Sequence, residues 1–174
     1  MSEVASERVG FPAGSALREV PRADDPARVE RLVAASGFFN QEEVEVAGSL
    51  IRERLEKGPA SGYELLFLDD AAGALLGYTC YGEIAGAAGR WDLYWIAVDP
   101  ARRGGGLGRA LLRETERRIA ARAGVRVYVE TGGRAQYEPT RAFYLACGYR
   151  EEARLPDFYA DGDDKVIYVR DPRG

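Results

Sequence analysis

The chain has 174 residues, with 24 Lys+Arg, 28 Asp+Glu and no histidine. That length suits one domain of roughly 100–200 residues. The missing histidine excludes a Ser-His-Asp triad, a Cys-His dyad and any His-built metal site, leaving carboxylate, tyrosine, lysine, cysteine or water as a general base. The formal net charge of −4 argues against a protein whose whole surface binds nucleic acid.

Met1–Gly14 reads as a loose arm with Glu3, Glu7 and Arg8 and no apolar run, so it does not resemble a signal peptide. The domain is expected over residues 15–172. Ser15–Val20 is a candidate first strand. Asp24, Asp25 and Pro26 signal a helix start, and that helix should stop at Gly37. A second helix is predicted over Gln41–Lys57, opening with Glu42, Glu43 and Glu45 at the positive end of its dipole and ended by Gly58-Pro59. Tyr63–Leu68 and Ala74–Glu83 should form a hairpin, and Trp91–Val98 is the most apolar strand. Gly106–Ala123 reads as a long helix with Leu107, Leu111, Thr115, Ile119 and Ala123 at four-residue steps. Val125–Thr131 is a strand and Pro139–Cys147 a short helix closed by Gly148. Tyr149–Arg154 and Lys165–Arg170 are two last strands. Strand–helix–strand–helix–strand in this half implies parallel pairing with helices packed on the sheet. The longest uncharged stretch, Ala71–Gly82, is too short to span a bilayer of about 20 residues. Cys80 and Cys147 read as small core residues of a reduced compartment, so a soluble cytoplasmic protein without a membrane partner is expected.

The chemistry concentrates in Asp99-Pro-Ala-Arg-Arg-Gly-Gly-Gly-Leu-Gly-Arg109, which follows a strand and opens a helix. Its glycines allow a close backbone approach, and the first turn of a helix offers unpaired N–H groups and a positive dipole end. This is an anion site suited to a pyrophosphate. Arg102, Arg103 and Arg109 add charge. Between Pro100 and Arg126 eight arginines face two glutamates, a local charge of +6. Neither the dinucleotide fingerprint G-x-G-x-x-G nor the G-x-x-x-x-G-K-[ST] loop is present.

What fits is R-x-x-G-x-G, from Arg103 through Gly106 to Gly108. After the Ile96-Ala-Val-Asp-Pro100 strand end, it resembles the GNAT superfamily of acyl-CoA-dependent N-acetyltransferases. The later Thr140-Arg-Ala-Phe-Tyr-Leu-Ala-Cys-Gly-Tyr149 is similar to that family's second signature. The resemblance implies an α/β (α+β) fold: a mixed sheet of six to seven strands flanked by about four helices, with splayed parallel strands forming an acyl-CoA groove. It implies acetyl-CoA as co-substrate, no metal, and transfer to a primary amine without a covalent enzyme intermediate. Backbone groups of Ile96, Ala97 and Val98 would bond the pantetheine arm. N–H groups of Gly104, Gly105, Gly106, Leu107, Gly108 and Arg109, beside Arg103, would take the pyrophosphate. Tyr144 occupies the position of the family's general acid.

Glu130 resembles the base of the ribosomal-protein N-α-acetyltransferase branch, and Asp157-Phe-Tyr159 is similar to that branch's tyrosine-bearing loop. Tyr159 is then an acceptor contact. Glu83 and Asp92 are rival carboxylates that could act through water or bind the acceptor. The family's frequent asparagine ahead of the second signature is replaced by Tyr137, and the segment Thr131–Gln136 is longer than the family pattern. Glu151–Asp164 carries a local charge of −5, which suits a loop drawing in a cationic amine. Two other readings stand beside the enzyme: a non-catalytic acyl-CoA-binding sensor of the same fold, and an RNA-binding helix over Gly106–Ala123. The glycine run favours a compact phosphate over nucleic acid. A homodimer is compatible with the sequence.

Overall fold

The computed structural model describes residues 10–174. Most of the arm read over Met1–Gly14 therefore lies outside the described residues. Seven strands form one sheet in the order β1-β2-β3-β4-β5-β7-β6: β1 Ala16–Arg18, β2 Glu64–Asp69, β3 Leu75–Glu83, β4 Arg90–Val98, β5 Arg126–Gly132, β6 Arg150–Ala160 and β7 Asp163–Arg170. Every neighbouring pair is antiparallel except β4–β5. Four helices accompany it: α1 Asp25–Ala35, α2 Gln41–Lys57, α3 Leu107–Ala121 and α4 Glu138–Ala146. This is the mixed, helix-flanked sheet that the sequence implied. Among the described residues no helix is long and apolar enough to cross a membrane.

The sheet buries a separate core on each face. Val29, Val33 and Ile51 of α1 and α2 pack with Leu65, Phe67, Tyr78 and Cys80. Leu107, Leu111 and Ile119 of α3 pack with Leu66, Leu68, Trp91, Val127 and the tyrosines at positions 144, 149 and 168. Strand alternation explains the division, since successive residues of β2 send their side chains to opposite faces.

Helix starts differ in detail from the sequence reading. Asp24 makes no side-chain cap. Asp25 is instead wholly buried, accepting from Arg18, Arg28 and the Arg22 N–H. Burial alone would raise its carboxyl, but these donors hold it below the ordinary range. Arg18 and Arg28 also reach Asp69, so the network ties β1, α1 and β2 together. The start of α2 is a capping box that the glutamates alone did not reveal: Asn40 Oδ1 accepts from the Glu43 N–H and Glu43 Oε2 from the Asn40 N–H, each at 2.9 Å.

The largest difference is at the last hairpin. Residues 155–164, expected to be mostly loop, extend β6 and β7 to a tight turn at Asp161-Gly162. Acidic residues and Pro156 hide the strand from propensity; the ladder itself breaks after Leu155 and resumes at Ala160–Asp163, with Asp157 at positive φ in the irregular stretch between. Arg154 bonds Glu151 and Asp164, and the Gly162 N–H donates to Asp157 Oδ1. Glu151, Glu152, Asp163 and Asp164 of the acidic run thus have arginine partners within the fold. The arginines of α3 and its end are engaged in the same way, Arg117 and Arg118 with Glu114 and the C-cap Arg122 with Glu64.

Glu116 on α3 is 3% exposed and lies against Arg113, Arg170 and the Tyr149 hydroxyl. Burial pushes its carboxyl up to about 7, against the pull of Tyr149 and Arg113. A carboxyl with a raised native pKa stabilises the fold below its unfolded pKa, and that contribution is lost as pH climbs through the native value. Between pH 4.5 and 7.5 the wild type should therefore lose about 2–3 kcal/mol relative to Glu116→Gln, at 1.36 kcal/mol per pKa unit. Denaturant titrations of both proteins across that range check this, and parallel curves would contradict it.

Candidate active site

The parallel pairing of β4 and β5 covers three residue pairs, Arg90–Arg126, Trp91–Val127 and Asp92–Tyr128. Both strands continue past it, β4 to Val98 and β5 to Gly132, so they part. A cleft of about 970 Å³ opens in the gap. From Leu93 onward β4 is paired with β3 alone. Main-chain groups facing the gap, among them those of Ile96–Val98, are free to bond an extended ligand as an added strand would.

A bulge aims the side chains. Tyr81 pairs with Leu93 but Cys80 with Trp95, so Tyr94 is the extra residue of β4. Asp92 and Tyr94 point to the α1/α2 face. Trp95 points there too, reversing the alternation, and it packs edge-on against Phe39 at 5.0 Å between ring centres. Tyr94 meets Tyr63 in the same manner at 5.5 Å.

At the other end β4 leads into the glycine turn. Asp99 Oδ1 accepts from the Ala101 N–H and fixes a short helical turn over Pro100–Arg102. Gly104 and Gly106 then take positive φ, +79° and +80°, which L side chains rarely adopt. Gly106 is the N-cap of α3 and has no side chain to satisfy the first N–H groups. Those donors stay available, beside Arg103 and Gly108, which line the cleft. Arg103 lies over the Phe38 ring at 5.3 Å. Arg109 is turned away: it donates to the Ala146 carbonyl at 3.1 Å and so caps α4. Leu107 is a core residue. Any part these two play toward an anion is through their backbone.

Tyr144 lines the cleft from α4 and is 4% exposed, its ring among Phe143, Tyr149 and Tyr168. Burial pushes its phenol well above the ordinary value. Glu130 and Asp92 lie on the same sheet face of adjoining strands and both line the cleft. They differ in company. Glu130 is exposed and bound to Lys165 Nζ at 2.6 Å. Asp92 is half-buried and has no hydrogen-bond or cation partner among the described residues; burial first, and Glu130's charge second, raise its carboxyl. Tyr159 borders the cleft from β6, half-exposed. Glu83 does not join them: it accepts from the Gly89 N–H at 2.7 Å and stabilises the β3–β4 turn.

The unusual segment before α4 has a structural account. Tyr137 lies over Gly132, where a Cβ would come within 2.8 Å of its ring. Arg141 of α4 donates to the carbonyls of Gly132 and Arg134, and Arg134 pairs with Asp163. Sequence reading did not single out Phe39, Tyr63, Tyr94 or Trp95. The alternation in Trp91-Asp-Leu93 was a usable signal for Asp92, but the bulge that brings Trp95 beside it had none.

Comparison with known proteins agrees with this geometry. A GNAT acetyltransferase domain model matches residues 61–151. The chain is 39% identical over 120 residues to a mycothiol acetyltransferase of Kineococcus radiotolerans, covering 68% of this chain and 38% of that protein's length. A GNAT-family crystal structure from Desulfovibrio desulfuricans superposes with a TM-score of 0.86 at 42% identity, covering 91% of this chain and 99% of the other. An aminoglycoside 6'-N-acetyltransferase complexed with coenzyme A shares the fold, with a TM-score of 0.70 at 17% identity over 91% of this chain and 98% of its own.

Proposed function

The chain belongs to the GNAT acetyltransferase family, and from that premise we propose that it transfers the acetyl group of acetyl-CoA directly to a primary amine. The observation that carries this is the splay itself: an unpaired strand edge at Ile96–Val98 runs from a glycine turn with free N–H donors to a buried tyrosine and two carboxylates. The residues fit a long anionic thioester. The turn Arg103–Arg109 would hold the pyrophosphate by backbone N–H groups and Arg103's charge. The β4 edge would hold the arm by main-chain bonds. Bound acetyl-CoA supplies an activated acyl group.

The chain's own groups manage the protons. Asp92 receives one from the incoming ammonium, directly or through water, because it makes no ion pair among the described residues whereas Glu130 is bound by Lys165. Tyr144 donates a hydrogen bond toward the leaving sulfur. As the C–N bond forms and the C–S bond breaks, the nitrogen's second proton passes to the departing sulfur, directly or by relay through the Tyr144 hydroxyl, which is left protonated, and CoA would leave as the thiol. In this reading Glu130, held by Lys165, keeps Asp92 basic and is not itself the base.

Gly106→Val tests the cofactor assignment. A β-branched residue at φ +80° is strained and would stand where the pyrophosphate must approach. The variant should lose at least about tenfold in CoA affinity by calorimetry, equivalent to about 1.4 kcal/mol. Circular dichroism establishes that it folds. Wild-type affinity in a folded Gly106→Val would overturn the assignment. Tight CoA binding by the wild type with no thiol release for any amine would instead favour the sensor.

A further inference from the structure

Resting on the reading above, we infer that the acceptor is a singly charged amine carrying a flat apolar body, an arylalkylamine in chemical class. The argument begins from charge. Four carboxylates border the cleft: Glu43, Asp92, Glu130 and Asp163. Glu43 is consumed by the α2 capping box, Glu130 by Lys165, and Asp163 by Arg134 and the Gly133 N–H. That leaves Asp92 as one unpartnered carboxylate, enough for one ammonium. A polyamine or an aminoglycoside would bring further cations to Glu130 and Asp163, which Lys165 and Arg134 already neutralise, while Glu43 keeps its charge but spends an oxygen on the Asn40 N–H.

The surroundings of Asp92 are aromatic. Tyr94 follows it two residues on and is paired edge-on with Tyr63. Trp95 and Phe39 form a second edge-on pair on the same face. Tyr159 closes the opposite side, 50% exposed, and Tyr94 is 41% exposed, so both rings offer uncovered apolar surface at the cleft. Such rings pack against a flat apolar group and attract an ammonium through their faces. A bare alkyl chain would gain less and a sugar would leave them unmatched. Asp92 reads the charge and the ring pairs read the body.

Equilibrium dialysis of radiolabelled phenethylamine against CoA-saturated protein tests this, with butylamine, spermidine and 3-phenylpropionate as competitors. The ring presents more apolar area to Tyr94 and Tyr159 than an alkyl chain does, so phenethylamine should bind about tenfold or more tightly than butylamine. Spermidine should gain nothing from its extra charges, and the anionic phenylpropionate should not compete. Asp92→Asn should abolish most retention, and Tyr94→Leu should erase the preference over butylamine while leaving butylamine's own affinity in place. Equal or tighter binding of butylamine or spermidine overturns the inference, as does no retention of phenethylamine. Thiol release is followed in parallel. Its absence together with selective phenethylamine binding would count against acetyl transfer but not against the recognition proposed here.

Discussion

Tyr144→Phe should lower kcat by about 10²–10³-fold, the usual cost of losing one hydrogen-bond donor to developing charge, with CoA affinity and thermal stability kept. The expectation of intact folding comes from packing. Tyr144 is 4% exposed and its ring contacts Phe143, Tyr149 and Tyr168, contacts that phenylalanine preserves. Only the oxygen facing the cleft is removed. Burial raises the phenol's pKa above its ordinary 10, so it remains protonated throughout the working range and adds no limb to the pH profile. An ordinary thiol has a pKa of about 8.5. Complete proton transfer from this tyrosine to a thiolate is therefore uphill, and its contribution is a hydrogen bond that strengthens as charge builds on sulfur. Tyr149→Phe is the control, a neighbouring tyrosine that faces Glu116 and does not line the cleft. Stopped-turnover assays with one amine decide the matter: equal rates for wild type and Tyr144→Phe, or equal losses in both variants, would return Tyr144 to a packing role.

Legibility in the sequence followed how local the determinants were. The glycine turn and the FY-x-x-x-G-Y signature were visible because each needs particular residues at fixed offsets on one strand–helix junction or one short helix. The α2 helix was readable at both ends because its acidic first turn and Gly58-Pro59 stop are consecutive in sequence. The long β6–β7 hairpin was not, because its strand character comes from Arg154, Asp157 and Asp164 bonding across the turn. The roles of the carboxylates were the least legible. Glu130 and Asp92 look alike in sequence, and what separates them is Lys165, which reaches Glu130 from β7 at 2.6 Å. Arg109 shows the same limit in reverse: its place in the motif suggested an anion contact, and its side chain went to the end of α4.

Asp92→Asn should lower kcat/KM at pH 7 by about 10²–10³-fold and change the shape of the pH profile. An aliphatic amine with a pKa near that of lysine, about 10.4, is neutral in fewer than about one molecule in 10³ at pH 7. Wild-type enzyme would bind the abundant ammonium and pass its proton to Asp92, whose carboxyl burial and Glu130 raise above the ordinary carboxylate value, against the pull of Lys165. Without that group the reaction draws on free amine from solution. Its rate should then climb about tenfold per pH unit until the amine's own pKa, whereas the wild type should be flatter, levelling off above the Asp92 pKa. Glu130→Gln gives the complementary result. It removes the neighbouring negative charge and frees Lys165, and both changes lower the Asp92 pKa. The acid limb of the profile should shift to lower pH with a loss at neutrality much smaller than that of Asp92→Asn. The measurement is kcat/KM from pH 6 to 10 for the three proteins with one amine. A steep, linear pH dependence confined to Glu130→Gln, with Asp92→Asn behaving like the wild type, would move the base to Glu130 and make Lys165 the group that keeps it ionised.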